Sequence, residues 1–139
     1  MNLAAANQII ETAFNHAAKL QLKPLTVAVL DAGGHVIALQ RQDGSSILRS
    51  GIAIGKAAGA LALGVSSRKI AEIAIERPTF VNALSALAPA GVIPAAGGVI
   101  VLGIDGRAIG AVGVTGDLSD NDEVCALAGI ASAGLEAQA

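Results

Sequence analysis

Residues 96–116 constrain the fold most strongly, because they have the pattern of two β-strands joined by a tight turn. Residues 99–102 are β-branched or apolar, which is typical of a strand, and residues 108–114 predict its partner. Asp105 and Gly106 stand between them, and this dipeptide favours a two-residue turn with positive φ, which glycine adopts without a Cβ clash. Because nearly every position is apolar, we expect both faces of this hairpin to be covered.

Glycines interrupt the same hairpin at Gly103, Gly110 and Gly113. A glycine inside a strand costs stability unless a bulge or a close neighbour needs the space. The glycines therefore predict that another element packs very closely against this hairpin.

Composition indicates one domain over residues 1–139, long enough to bury a substantial core. Hydrophobic residues make up 53% of the chain and charged residues only 14%, against about a quarter in ordinary globular domains. So few charges leave little polar surface, and we expect a homo-oligomer that buries apolar surface between subunits.

Several classes of protein are disfavoured by the same composition. The net charge is −2, with no Trp or Tyr to stack on bases, which argues against nucleic-acid binding. The single cysteine, Cys125, excludes an internal disulfide and a multi-cysteine metal site. We find no apolar run long enough to span a membrane and no basic region typical of a signal peptide at the start, so we expect a cytoplasmic protein.

Hydrophobic periodicity predicts helices at 2–20, 46–63, 66–75, 79–87 and about 120–137, and strands at 25–30, 36–40 and, briefly, 92–93. The glycine-containing turn at 31–35 joins the first two strands as a hairpin. Because both hairpins are antiparallel and helices stand at both ends and in the middle of the chain, the pattern predicts a three-layer α/β/α sandwich.

Four side chains are candidates for chemistry. His16 lies on the flank of the first helix, either as a half-buried, hydrogen-bonded residue or as an axial ligand at a subunit boundary. Arg41 and Asp43 follow the second strand, either as solvated surface or as a rim that fixes polar ligand groups. Lys56 stands in an apolar helix, either extending its ammonium to water or aiming it at a carboxylate or other anion in a pocket.

The acidic segment 117–122 precedes the last predicted helix. Ser119 is expected to cap that helix, with Asp122 at the matching box position. An EF-hand is excluded because Asp122 stands where that loop needs glycine. Cys125 is expected to be an inert, buried side chain.

No nucleotide-binding glycine motif, zinc-protease motif or nucleophile elbow is present. Four segments in order, however, resemble the GlcG/HbpS family of haem-binding or haem-degrading proteins, whose domain also forms the C-terminal part of some PduO-type proteins. They are VAVLDAGGHVIALQRQDG, GKAAGALALG, PAAGGVIVLGIDGRAIGAVGVTG and DNDEVCALAG.

The resemblance implies a profilin-like fold with a five-stranded antiparallel sheet, and a ligand pocket at subunit interfaces. It implies that the following residues take part in ligand binding: Arg41, Asp43, Lys56, Gly97, Gly98 and Thr115. It also makes His16 a candidate ligand of haem iron.

Three functions remain open from the sequence. In the first, the protein binds haem, with propionates on Lys56 or Arg41 and His16 near iron. In the second, it is a cofactor-independent enzyme for a small anionic metabolite, in which Lys56 or Arg41 holds the anion and Asp43, Asp31 or an acid of 117–122 moves protons. In the third, it is a non-catalytic accessory subunit.

Overall fold

The computed structural model describes residues 1–138. Its helices are α1 (Leu3–Lys19), α2 (Arg49–Leu63), α3 (Ser67–Glu76), α4 (Pro78–Leu84) and α5 (Ser119–Ser132). Its strands are β1 (Thr26–Asp31), β2 (Val36–Arg41), β3 (Gly98–Leu102), β4 (Ala108–Thr115) and β5 (Glu136–Ala137). The predicted hairpins and most of the predicted helices are thus confirmed.

The five strands form one antiparallel sheet in the order β2-β1-β4-β3-β5. The two hairpins, β1–β2 and β3–β4, lie side by side, since β1 pairs with β4 from Thr26↔Thr115 to Asp31↔Gly110. The turn between β3 and β4 is longer than the predicted two residues. Gly103 accepts a hydrogen bond from Gly106 N, and only Gly106 has positive φ, so Ile104 joins the turn and is fully exposed.

Alternation along the strands separates two faces. One face carries valines such as Val27, Val29 and Val112, which pack with α1 and α5 in the main core. The other face carries Leu30 and Ala111, which pack against α2. The predicted three-layer α/β/α sandwich is therefore confirmed, with α1 and α5 on one side of the sheet and α2 on the other.

The expected close packing against the glycine-rich hairpin is provided by α2. A Cβ on Gly113 of β4 would overlap the carbonyl oxygen of Ala53 on α2. A side chain at this position would therefore push the helix off the sheet. The small residues let the helix backbone lie directly on the strand.

The end of the chain differs from the prediction of a helix to residue 137. The α5 helix ends at Ser132, Gly134 adopts positive φ, and the chain turns back. Glu136 then pairs with Leu102, so β5 covers the edge of β3. Helical periodicity continues through these residues, but the reversal at Gly134 redirects them to the open strand edge.

Three other predictions also differ. The α4 helix ends at Leu84 instead of residue 87. The α2 helix begins at Arg49 instead of residue 46, since residues 46–48 form a turn. Residues 92–93 form no strand. Instead, Val92 is buried in a small core with Ile70 and Val81.

Within residues 1–138, no single helix is long and apolar enough to cross a membrane. The α2 and α3 helices pass that test only when joined, and they are bent by 77° at the break between them.

Candidate functional site

Lys56 lies in the protein interior, with 2% of its surface exposed. Its Nζ donates to Val114 O at 2.9 Å and to Asp122 Oδ2 at 3.1 Å. The surface interpretation of this lysine is therefore wrong, and the carboxylate that it meets belongs to the same chain. Its predicted contact with a ligand stays a prediction, which in this structure requires that the ion pair opens.

Gly97 and Gly98 leave the space through which Lys56 reaches Asp122. A Cβ on Gly97 would lie 2.9 Å from Lys56 Nζ, and one on Gly98 would overlap the Lys56 backbone carbonyl. Gly98 N also donates to the buried Ser67 Oγ at 2.6 Å. These two candidate ligand residues thus serve the packing of α2 in this structure.

Burial shifts the pKa values of both members of this pair. Burial raises the pKa of the Asp122 carboxyl, which the Lys56 ammonium partly offsets. Burial likewise lowers the pKa of Lys56, and Asp122 opposes this change. Each charge is retained in the interior by its partner, so removing either one leaves the other without compensation.

Asp117 and Asp122, and not Ser119, organise the start of α5. Ser119 is already the first helical residue, and no side-chain cap is made by the preceding Leu118. Asp122 Oδ1 instead accepts a hydrogen bond from Asp117 N at 3.0 Å. Asp117 accepts from Asn121 Nδ2, Lys23 N and Leu118 N, and these bonds lower its pKa to about 2. The predicted Ser119 cap is therefore wrong.

Arg41 and Asp43 lie together, as the sequence predicts, but away from Lys56. They line an open groove of about 440 Å³ with Phe14, Gln40 and Gln42. Both side chains are exposed, and they form no ion pair with each other in the described part of the chain. Their role at the rim of a binding site stays a prediction.

Thr115 is buried at the end of β4, where its Oγ1 accepts a hydrogen bond from Arg49 Nη1 at 2.7 Å. The sequence analysis did not select Arg49, because one arginine between apolar residues carries no motif. Arg49 is identified only in the folded chain, where the sheet pairs Thr115 with Thr26 and the Arg49 guanidinium bonds to Thr115.

His16 is half-buried on α1, and its imidazole makes no hydrogen bond or ion pair with any residue in 1–138. The helix packs antiparallel to α5, since Gly129 approaches Ile9 while Lys23 N bonds to Asp117. His16 lies between these two contacts. It is therefore at the level of the first turns of α5, where Leu118 and Val124 are exposed.

His35 lies at the tip of the β1–β2 hairpin and is exposed. Asp31 Oδ1 holds this tip by accepting from Gly33 N and His35 N, which lowers the Asp31 pKa. His35 borders a cleft of about 340 Å³, otherwise lined by small or apolar residues of the hairpin turn 32–34, of α2 and of segment 88–91. It is the second histidine whose ring has no hydrogen-bond partner in the described residues.

The predicted site is thus divided into three places. The following residues cluster in the interior between α2 and β4: Lys56, Gly97, Gly98 and Thr115. Arg41 and Asp43 lie at the end of β2, and His16 lies on α1. Over residues 1–138, no three His, Cys, Asp or Glu side chains converge as a metal-ion site.

Comparison with known proteins supports a single family assignment. Residues 1–131 match the family model described as haem degrading protein HbpS-like. An uncharacterized 15.0 kDa protein from the dhaT-dhaS intergenic region of Citrobacter freundii is 27% identical over 126 residues, covering 91% of this chain and 87% of that protein.

Solved structures agree with this assignment. A double mutant of HbpS from Streptomyces reticuli is 28% identical, with a TM-score of 0.81, covering 94% of this chain and 85% of that one. A PduOC:haem complex superposes with a TM-score of 0.87 at 23% identity, covering 100% and 99%, which shows a shared fold. Since the family model spans nearly the whole sequence, the chain belongs to the HbpS-like family of haem degrading proteins.

Proposed function

We propose that the protein binds haem, with His16 as a ligand of the iron. The observation that carries the proposal is the His16 imidazole, which is half-exposed and has no partner in residues 1–138. A histidine that must ligate iron needs a nitrogen free of internal hydrogen bonds. Membership of the HbpS-like family supports haem as the group concerned.

The surroundings of His16 fit a flat apolar group. Leu118, which precedes the neighbouring helix α5, is 74% exposed, and Val124 on that helix is 43% exposed. Exposed apolar side chains on one layer favour coverage by a ligand or a partner. Haem, when bound, supplies the iron and its redox chemistry, while the chain supplies the imidazole and the apolar surface.

We further propose that a second copy of the chain completes the site. The clefts described above measure about 340 and 440 Å³ and are open, so neither encloses a macrocycle. A haem on the α1/α5 layer therefore needs a second surface to exclude water from its other face. The low charge content of the chain supports such a contact.

The competing enzyme hypothesis used Lys56 or Arg41 as the anchor of an anionic metabolite. The interior ion pair with Asp122 disfavours that role, because the ammonium already has two acceptors and almost no exposed surface. The same ion pair disfavours Lys56 as an anchor of the haem propionates, but ligation of the iron by His16 does not need Lys56.

The test is a haemin titration followed by the Soret band, with light scattering after size exclusion on the same samples. Wild type should saturate at a fixed haem-to-subunit ratio, and His16→Ala should lose or shift the band. His35→Ala is the matched control, since it removes the other unpaired imidazole. A His16→Ala protein with an unchanged Soret band contradicts the ligand assignment, and a signal that never saturates contradicts haem binding.

A further inference from the structure

Ile104 is fully exposed in the turn between β3 and β4. Other residues close this turn, since Gly103 N donates to Arg107 O and Gly106 N donates to Gly103 O. Turn residues are usually small or polar, and the β-branched side chain of Ile104 adds no hydrogen bond to this one. A single exposed apolar side chain can join two protein copies when a pocket elsewhere on the surface receives it.

The cleft beside the neighbouring hairpin tip is a pocket of this kind. It measures about 340 Å³ and lies between the tip 32–35, the α2 helix and segment 88–91. Among the described residues that line it there is no Asp, Glu, Lys or Arg, and its wall includes Leu61 and Ala62 of α2. One water molecule takes about 30 Å³, so the cleft holds the four side-chain carbons of an isoleucine with room to spare.

The Ile104 turn and the cleft lie at the same end of the sheet. Asp31, the last residue of β1, is the register partner of Gly110, near the start of β4. The turn after β1 and the turn before β4 are therefore neighbours. The β1–β2 and β3–β4 hairpins are centred two strand spacings apart, or about 10 Å. A surface that carries both an apolar side chain and a matching pocket suits a two-fold contact between identical chains.

The polar groups at this end of the sheet also fit such a contact. From β2 toward β3 they follow the order His35, Asp31, Arg107 and Asp105. A two-fold axis normal to the sheet reverses this order in the second copy. Asp105 then faces the partner's His35, and Arg107 faces the partner's Asp31, so each acidic group meets a donor.

These polar groups retain free hydrogen-bonding capacity. Asp31 uses only Oδ1, which accepts from Gly33 N and His35 N, and its Oδ2 has no hydrogen bond in residues 1–138. Asp105 and Arg107 are exposed and approach each other only to 4.0 Å. The chain thus leaves all four side chains available to a partner.

We propose that this end of the sheet binds a second copy of the chain, with Ile104 in the partner's cleft and Asp105 on the partner's His35. The cleft lies on the α2 side of the sheet, whereas the proposed haem surface lies on the α1/α5 layer. The contact therefore goes beyond haem binding and does not depend on it. Combined with a contact through the α1/α5 layer, it builds an assembly of more than two subunits.

The first experiment measures the mass of the haem-free protein by light scattering after size exclusion, over a dilution series. Ile104→Ser should raise the dissociation constant by about 100-fold or more, because a two-fold contact loses the same anchor twice. Ile47→Ser is the matched control, since this 87% exposed isoleucine precedes α2 at the opposite end of the sheet, and it should assemble as wild type. Equal effects of the two substitutions overturn the proposal. A wild type that stays monomeric leaves the cleft to a different occupant and also overturns it.

A charge exchange tests which residues meet. His35→Glu and Asp105→Lys should each weaken assembly by about 3- to 10-fold, and the double variant should regain most of the affinity because opposite charges face each other again. Asp105→Asn keeps the acceptor for Arg107 N, so it separates loss of charge from loss of the turn. Both positions are exposed, and circular dichroism should show an unchanged fold. A double variant weaker than either single variant contradicts the contact and overturns the proposal.

Discussion

Lys56 on α2 and Asp122 on α5 form a 3.1 Å ion pair although their helices pack on opposite faces of the same sheet. The contact passes the end of β3, where Gly97 and Gly98 have no side chains. It joins the two outer layers of the sandwich directly. Its side chains are only 3% and 1% exposed, so solvent screens it little.

Asp122→Asn should destabilise the protein by about 3–5 kcal/mol, because it leaves the Lys56 ammonium buried without a counter-charge. Urea unfolding measures the change. The double variant Lys56→Met/Asp122→Asn should lose less than the sum of the single losses, since neither charge remains. Lys69→Met breaks an ion pair with Glu72 that is 58% exposed on both sides, and should cost less than about 1 kcal/mol. Equal losses at the two sites would refute the argument.

Gly113→Ala should destabilise the fold by about 1–3 kcal/mol or more, because its Cβ would overlap the Ala53 carbonyl of α2. Gly51→Ala provides the contrast within the same layer, since nothing lies within 4 Å of its added Cβ. Alanine is the better helix former, so Gly51→Ala should stabilise by about 0.5–1 kcal/mol. Thermal unfolding should show a lower melting temperature for Gly113→Ala and a higher one for Gly51→Ala. A Gly113→Ala variant as stable as wild type would show that α2 does not pack directly on the strand.

The Asp117→Asn variant should lose less stability than wild type as the pH falls from 5 to 2. The pKa of Asp117 falls from 3.8 to about 2 in the folded chain, through the bonds from Asn121, Lys23 and Leu118. Between these values the unfolded chain binds more protons, so stability contributed by Asp117 is present above pH 4 and is lost as the pH falls toward 2. Urea midpoints from pH 5 to pH 2 should therefore converge between wild type and Asp117→Asn. Parallel curves would contradict the prediction.

Cys125 should react with a thiol reagent only when the protein opens. Its side chain is fully buried, and burial raises the pKa of its thiol to about 11. Because it is the single cysteine in the sequence, the labelling rate reports on one position. At pH 8 we expect negligible reaction with the native protein and rapid reaction in denaturant. Fast native labelling would place Cys125 on an accessible surface.

The sequence predicts the sheet well, because its signals are local. Nearly continuous apolar runs and the turn signals at residues 31–35 and at Asp105-Gly106 fix both hairpins without knowledge of the rest of the chain. The pairing of β1 with β4 and the addition of β5 have no local signal, since they join residues far apart in sequence. Gly134 illustrates the limit. Its positive φ ends the helical path, but the neighbouring residues alone give no sign of the strand edge that receives the chain.

The candidate site was predicted only in part, for the same reason. Lys56 stands out as a charge in an apolar helix, but its partner is 66 residues away on another layer. Arg41 and Asp43 are close in sequence and share a groove. Arg49 has no local signal, because its significance comes from Thr115 on a distant strand.

The contact between α2 and the glycines of the sheet has a consequence for how the layers of the protein can move. Because the Ala53 carbonyl meets Gly113 with no side chain between them, the α2 backbone and the β4 backbone are in direct contact and must shift together. The Arg49 guanidinium is in turn oriented by Thr115. A displacement of the α2 helix is therefore passed to the central strand of the sheet without being absorbed by side-chain rearrangement.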